Sequence, residues 1–208
     1  MNIIGVAIDE LYRYFDILNK DYYDSKLPEP VITIQKARPN NLGHFTLGKV
    51  WKNKDDSENE DLAKYEININ PVNLNRPVEK IITTMQHEMV HYANKMNEIK
   101  DCNGNIHNKK FKSLAESVGL LVDKGKSVGW GYTSPSNEFI KYIQGKIKPN
   151  EEVFAYFRSC PPPKEKKARE KKSFKYTCPR CEMVAKAERD KHIQCGECKV
   201  DLVMEDVG

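Results

Sequence analysis

The segment His87-Glu88-Met89-Val90-His91 places two histidines four residues apart. Residues at this spacing on a helix lie on the same face, about one turn apart. Pro77 stands where a first helical turn accepts proline, and the apolar residues after it keep helical periodicity: Val78, Ile81, Ile82, Met85, Met89, Tyr92 and Met96. The segment therefore predicts a helix that brings two imidazole nitrogens to one metal ion.

Glu88 follows one residue later, about 100° around the helix, where its carboxylate can reach a water on that ion. A catalytic zinc keeps three protein ligands and leaves its fourth position for water. The ion lowers the pKa of that water, so Glu88 can take its proton as general base and pass it to a leaving amine. The pattern favours peptide hydrolysis, in which zinc-activated water attacks the carbonyl.

A third ligand is required, and His107 is the nearest downstream histidine, sixteen residues after His91. The intervening chain contains Asp101 and the turn-forming run Asn103-Gly104-Asn105, which would let the chain reverse. A helix beginning near His107 would then present it to the ion. Glu116 on that helix is the alternative, because a carboxylate can also complete a zinc site. His107 is favoured.

Two further side chains are considered for the site. Tyr132 is a candidate hydrogen-bond donor to a developing oxyanion, with packing beside Trp130 as the alternative. His44 is expected to lie on a strand and to face solvent or the cleft, not to bind the ion.

Two C-x-x-C pairs near the C-terminus, Cys178/Cys181 and Cys195/Cys198, are separated by thirteen residues. Four thiolates at such spacing predict a closed, structural zinc site. A pair of redox motifs is the alternative, but the strand–helix setting typical of them is lacking. His192 is expected to face solvent. A unit of about 35 residues has too little core to fold without its metal.

The pattern along the chain predicts an opening helix over 8–22 and three strands, over 31–35, 43–51 and 65–70. A helix follows over 111–118, residues 120–135 look irregular, and Ser136 is expected to cap a short helix. The predicted domains are a metallopeptidase domain over 1–159, a Pro/basic linker over 160–173 and a four-cysteine zinc ribbon over 174–208.

The charge distribution argues against a basic fold. The run from Lys164 to Lys172 contains six basic and two acidic residues, which leaves 28 of each sign in the rest of the chain. The chain lacks an apolar run long enough to span a membrane and lacks the pattern of a signal peptide. Together with metal-type cysteine spacing, this predicts a cytoplasmic protein that does not insert into a membrane.

The stretch from Thr84 to Gly119 resembles the SprT-like metallopeptidases, the group that includes the Spartan proteases. The resemblance extends upstream in the same order through Leu18-Asn19, Leu27-Pro28, Gly43-His44-Phe45 and the run 66–71, and downstream to the zinc ribbon. It implies an α+β zincin-type domain, helices with a small antiparallel sheet, followed by the ribbon. It also implies that His87, His91 and His107 bind zinc and that Glu88 is the base. Asn108 stands where many members have glycine.

The resemblance further implies proteolysis of DNA-bound or DNA-crosslinked proteins, with DNA as the activator. The expected cofactors are two Zn²⁺ ions per chain, one catalytic and one structural. Protein is the expected substrate, and DNA is an expected partner through the basic linker and the ribbon. The alternatives are a general cytoplasmic metallopeptidase not linked to DNA, and a non-catalytic, zinc-dependent nucleic-acid-binding or regulatory protein.

Overall fold

The computed structural model describes residues 2–38, 40–55, 58–159, 174–188 and 191–205. The chain divides into two compact units, Met1–Cys160 and Pro161–Gly208. The predicted linker over 160–173 lies outside the described residues, so the linker and the domain boundaries stay predictions. The α+β class predicted for the chain is confirmed, with four α-helices and small sheets in the described residues.

Helix α1 (Ile3–Tyr23) opens the first unit and confirms the predicted amphipathic helix, which begins earlier than expected. The Asn2 side chain caps it by accepting a hydrogen bond from the Gly5 amide. Its buried face includes Leu11, Phe15 and Leu18, each at most 1% exposed. Near the end of the helix, the Asn19 side chain hydrogen-bonds both the amide and the carbonyl of Leu27, so the chain turns sharply back toward the first strand.

The first sheet contains β1 (Val31–Thr33), β2 (Gly43–Phe45) and β3 (Glu66–Ile69) in the order β1-β3-β2. Strand β2 is antiparallel to β3, but β1 is parallel to it. The sheet is therefore mixed, whereas an antiparallel one was expected, because β1 and β3 are connected through the intervening edge strand.

The predicted strand over 43–51 is wrong beyond Phe45. The hydroxyl of Thr46 accepts a hydrogen bond from the Glu66 amide, and the chain then leaves the sheet until Trp51 forms a bridge with Lys64. Leu47 and Val50 are exposed, so these apolar residues are not evidence of a buried strand.

Two buried asparagines brace the loop between β1 and β2. The Asn68 amide donates to the Gln35 carbonyl, and its oxygen accepts from the Gln35 amide and from the Thr33 hydroxyl. The Asn70 amide donates to the carbonyls of Asn41 and Arg38. Both asparagines are fully buried, so these bonds to the loop satisfy side-chain amides that have lost contact with water.

Helix α2 (Val78–Met96) confirms the predicted helix and contacts α1, β2 and β3. Ile81, Met85 and Met89 are completely buried on it. A short 3-10 turn over Pro71–Asn73 leads into it. Because α2 packs against α1 and the first sheet, the polar residues near Glu88 are surrounded by apolar side chains.

A second sheet follows α2, with the order β4-β5-β7-β6. It contains β4 (Cys102–Asn103), β5 (Ile106–His107), β6 (Leu120–Gly125) and β7 (Gly129–Pro135). The expectation that 120–135 is irregular is wrong, since β6 and β7 form an antiparallel hairpin. Gly125, Gly129 and Gly131 interrupt the alternation of apolar and polar side chains by which a strand is recognised in a sequence.

Two more helices belong to this unit. Helix α3 (Lys109–Ser117) lies between β5 and β6, and its Asn108 side chain caps it by accepting from the amides of Lys110 and Phe111. Helix α4 (Asn137–Tyr142) is capped by Ser136 as predicted and continues in a wider turn over Ile143–Ile147. No helix among the described residues combines the length and the apolar character needed to cross a membrane.

The second unit contains β8 (Phe174–Thr177), β9 (Val184–Ala187) and β10 (Val203–Glu205), antiparallel in the order β10-β8-β9. Its buried hydrophobic core consists of Tyr176, Cys178, Cys195 and Leu202, with a few half-buried neighbours. Two of these four residues are cysteines, so little apolar surface is available to stabilise the sheet.

The asparagine brace leads to a stability prediction. Asn70→Ala removes a buried side chain that donates to the carbonyls of Asn41 and Arg38 and accepts from the Val72 amide, so three hydrogen bonds are lost. We expect the free energy of unfolding of the first unit to fall by about 1–3 kcal/mol, measured by urea denaturation. Asn75→Ala, at an exposed position nearby, is the control and should change little. Equal effects of the two substitutions would contradict a bracing role.

Candidate metal centres

Three histidines of the first unit converge. His87 and His91 lie one turn apart on α2, and His107 is the last residue of β5. Each offers a ring nitrogen, and these atoms all lie within 4.8 Å of one another. Nε2 of His91 and Nε2 of His107 are 3.1 Å apart. His107 thus comes from a strand, and the expectation that the following helix presents it is wrong, because that helix begins only after the Asn108 cap.

The other ring nitrogen of each histidine is already engaged. Nδ1 of His87 is 3.0 Å from the Thr133 hydroxyl, and Nδ1 of His107 donates to the Val128 carbonyl at 3.0 Å. Nδ1 of His91 is 2.7 Å from a carboxylate oxygen of Asp101. Because a carbonyl and a carboxylate only accept, His91 and His107 carry their protons on Nδ1. Their Nε2 lone pairs are then free, which is the donor set that zinc prefers.

The ring of Phe111 forms the apolar floor of the site. Its centroid lies 4.7 Å from the rings of His87 and His91 and 4.5 Å from that of His107. Phe111 is fully buried and sits in the first turns of α3, directly after the Asn108 cap. The cap therefore fixes the position of the floor under the three imidazoles.

Burial and mutual repulsion control the charge of the histidines. Burial, followed by the neighbouring His91, lowers the pKa of His87 and His107. Burial alone would also lower the pKa of His91, but the hydrogen bond to Asp101 and the negative charges of Glu88 and Asp101 outweigh it and raise that pKa. Two of the three imidazoles are thereby kept neutral, as metal ligation requires.

Glu88 lies on the side of α2 that faces the edge strand β2. It is 5% exposed, and the Phe45 amide donates a hydrogen bond to its carboxylate. Burial raises the pKa of Glu88 to about 7. A carboxyl group poised near neutrality can both accept and donate a proton.

Glycines allow the close approach of strands to these side chains. A Cβ added at Gly43 of β2 would lie 2.9 Å from the Asn68 carbonyl oxygen and 3.3 Å from Oε1 of Glu88. One added at Gly131 of β7 would lie 2.5 Å from Nδ1 of His107. The spaced glycines around Trp130 were the sequence signal for this contact, although the sequence did not show what they approach. Asp101 and Thr133 were not identified from sequence as site residues at all.

Three considered residues lie away from the histidine centre. Tyr132 is 57% exposed and lies between Gly131 and Thr133 on β7, so strand alternation points it away from the face that meets the histidines. Its ring approaches Gly125 instead. Glu116 lies 3.6 Å from Lys112 on α3 with a half-exposed side chain. His44 lies 3.9 Å from Glu66, and neither His44 nor Glu116 belongs to the group of side chains that converge to hold an ion.

The second unit brings its four cysteines together. The sulfurs of Cys178, Cys181, Cys195 and Cys198 all lie within 4.8 Å of one another. Both pairs form the same turn: the first cysteine's amide donates to the carbonyl five residues on, and its carbonyl accepts from the amide four residues on. The residues at that fourth position, Glu182 and Lys199, both have positive φ. This thiol set suits a structural zinc ion.

Other side chains of the second unit do not join the thiols. His192 is exposed and lies 3.0 Å from a carboxylate oxygen of Asp201. Tyr176 is buried, and its hydroxyl accepts from the Lys191 amide, so its ring is not available for stacking on a base. Arg180, Lys186 and Lys199 are exposed.

The comparison with protein families agrees with this geometry. The family model of the SprT-like family matches residues 11–128, which is more than half of the chain. The matched range contains α2, β5 and all three converging histidines. No match was found among curated proteins or among solved structures.

The close approach of β7 to His107 yields a prediction. Gly131→Ala places a methyl group against the His107 ring and must displace either the ring or the strand. We expect zinc affinity of the histidine centre to fall by about 10- to 100-fold, as for other changes in the outer shell of a metal site. Competition for zinc with a coloured chelator measures it. Gly48→Ala, where a Cβ meets open space, should leave the affinity unchanged; an equal loss there would contradict the argument.

Proposed function

Since the chain belongs to the SprT-like family, which is associated with metallopeptidase activity, we propose that it is a zinc-dependent endopeptidase. The observation that carries this proposal is the convergence of three imidazole nitrogens beside a buried glutamate. His87, His91 and His107 are proposed as the zinc ligands and Glu88 as the catalytic residue. Membership of the family suggests a zinc metallopeptidase-type domain. The roles given to the individual residues are our proposal.

A zinc ion at the three histidines would supply a Lewis acid that lowers the pKa of water and polarises a carbonyl. Glu88 would accept the proton of the attacking water and later donate it to the leaving amine. The Phe45 amide holds the Glu88 carboxylate on the side of β2, so the proton carrier stays in one orientation. The fully buried ring of Phe111 closes one side of the centre to water.

The substrate class is proposed to be proteins bound or crosslinked to DNA. The family resemblance supports this, as do exposed basic side chains on the second unit, which can meet phosphates. The basic run over 164–172 would add further phosphate contacts. The cysteine-bound zinc is proposed to be structural, which brings the expected number of ions to two per chain. The proposed location is the cytoplasm.

A general metallopeptidase without a link to DNA is the second candidate. The charge balance favours it, because the chain outside the basic run has equal numbers of acidic and basic residues. A non-catalytic nucleic-acid-binding protein is disfavoured, since such a protein would not need a buried Glu88 beside three histidines.

Replacing the proposed base tests the activity. Glu88→Gln keeps the shape of the side chain but cannot accept a proton, so cleavage of a DNA-binding protein should fall by about 10²- to 10⁴-fold. Gel electrophoresis would follow cleavage with and without DNA, and Glu79→Gln on the same helix is the control. Cleavage that needs both Glu88 and DNA supports the proposal. Cleavage indifferent to DNA would favour the general peptidase, and cleavage indifferent to Glu88 would refute the catalytic role.

The number of metal ions tests the two centres separately. We expect two zinc ions per chain by elemental analysis of the purified protein. His91→Ala and Cys181→Ser should each leave one ion, because each removes a ligand of a different centre. Chelation should unfold the second unit, whose core is small. A single ion in the unaltered chain would eliminate one of the two assignments.

A further inference from the structure

The three histidines differ in what holds their outer nitrogens. His87 meets a hydroxyl and His107 meets a backbone carbonyl, whereas His91 alone meets a charged group. The distance from Nδ1 of His91 to Asp101 Oδ2, 2.7 Å, is also the shortest of the three. A charge-assisted bond of this length is stronger than a neutral one.

Asp101 is held in place independently of His91. Its carbonyl accepts from the Asn108 amide at 2.9 Å, and the Asn94 side chain donates to Oδ2 at 3.2 Å. The Cys102 thiol donates to the same carboxyl group. Upstream, the Ile99 amide donates to the Asn94 carbonyl at 2.8 Å. The segment after α2 is therefore folded back onto the helix, so the carboxylate is presented to His91 by a fixed backbone.

The burial of Asp101 points to a purpose beyond the local fold. The residue is only 7% exposed, and burying a carboxylate is unfavourable unless it is paired and hydrogen-bonded. Asn94 and Cys102 supply neutral donors only. The remaining partner of the carboxylate is the imidazole of His91, whose Nδ1 lies 2.7 Å from Asp101 Oδ2.

We propose that Asp101 is a positioning residue that holds His91 with its proton on Nδ1 and its Nε2 lone pair directed at the metal. A carboxylate cannot donate, so it excludes the tautomer in which Nε2 carries the proton and cannot bind an ion. It also fixes the rotation of the ring and increases the basicity of Nε2. The inference rests on the zinc-binding part of the proposed function.

Asp101→Asn in the full-length chain tests this role. The amide has nearly the same shape, but it lacks the charge and can donate to Nδ1, which stabilises the tautomer that blocks Nε2. We expect zinc affinity of the histidine centre to fall by about 10- to 100-fold, measured by competition with a coloured chelator. The cysteine centre, titrated in the same sample, should be unchanged. Cobalt(II) in place of zinc should show an altered visible spectrum for the histidine centre alone.

Asn94→Ala is the matched control. Asn94 is as buried as Asp101 and donates to the same oxygen, so its loss disturbs the local fold but leaves the carboxylate at His91. Zinc affinity should then stay close to that of the unaltered chain, even if thermal stability falls. Parallel losses of affinity and stability in both variants, or unchanged affinity in Asp101→Asn, would overturn the proposal.

The outcome is separable from that of the proposed function. Glu88→Gln should retain zinc while losing cleavage, whereas Asp101→Asn should lose zinc first. If the unaltered chain cleaves no protein, the endopeptidase proposal fails, but the difference in zinc affinity between Asp101→Asn and Asn94→Ala still decides the role of Asp101.

Discussion

Three imidazole rings that pack against one another on one phenylalanine ring repel each other electrostatically if they are protonated. In the first unit, burial keeps His87 and His107 neutral, and every Nδ1 is engaged by a partner from another segment. These partners come from β7, from the β6–β7 turn and from the chain after α2. The second sheet is therefore arranged around the histidines, and its hairpin has a direct role in the geometry of the centre.

The first sheet serves Glu88 in the same way. Strand β2 lies against α2 because Gly43 has no side chain, and its Phe45 amide reaches the Glu88 carboxylate. The position of β2 depends in turn on Asn68 and Asn70, which hold the preceding loop from inside. A chain of contacts thus runs from two buried asparagine side chains to the Glu88 carboxylate, through a strand only three residues long.

The two units reach stability by different routes. The first has a continuous apolar core that includes α1, α2 and both sheets. The second has a core of four buried residues, two of which are cysteines, together with two turns that keep non-glycine residues at positive φ. Such a φ is unfavourable by about 1–2 kcal/mol for an ordinary residue, and the small core of the second unit offers little apolar burial to offset it.

The sequence by itself determined the parts of this protein that depend on local spacing. Helical periodicity and a four-residue interval place His87 and His91 on one face, and the cysteine spacing brings four thiols together, because these relations hold within short segments. Tertiary structure decided the rest. Asp101 and Thr133 reach the histidines only after the chain has folded back, and glycine-rich β7 carries no strand pattern in its sequence. His107 was predicted as a ligand from its position downstream, yet its placement on a strand end depends on pairing with a hairpin more than twenty residues away, which no local pattern encodes.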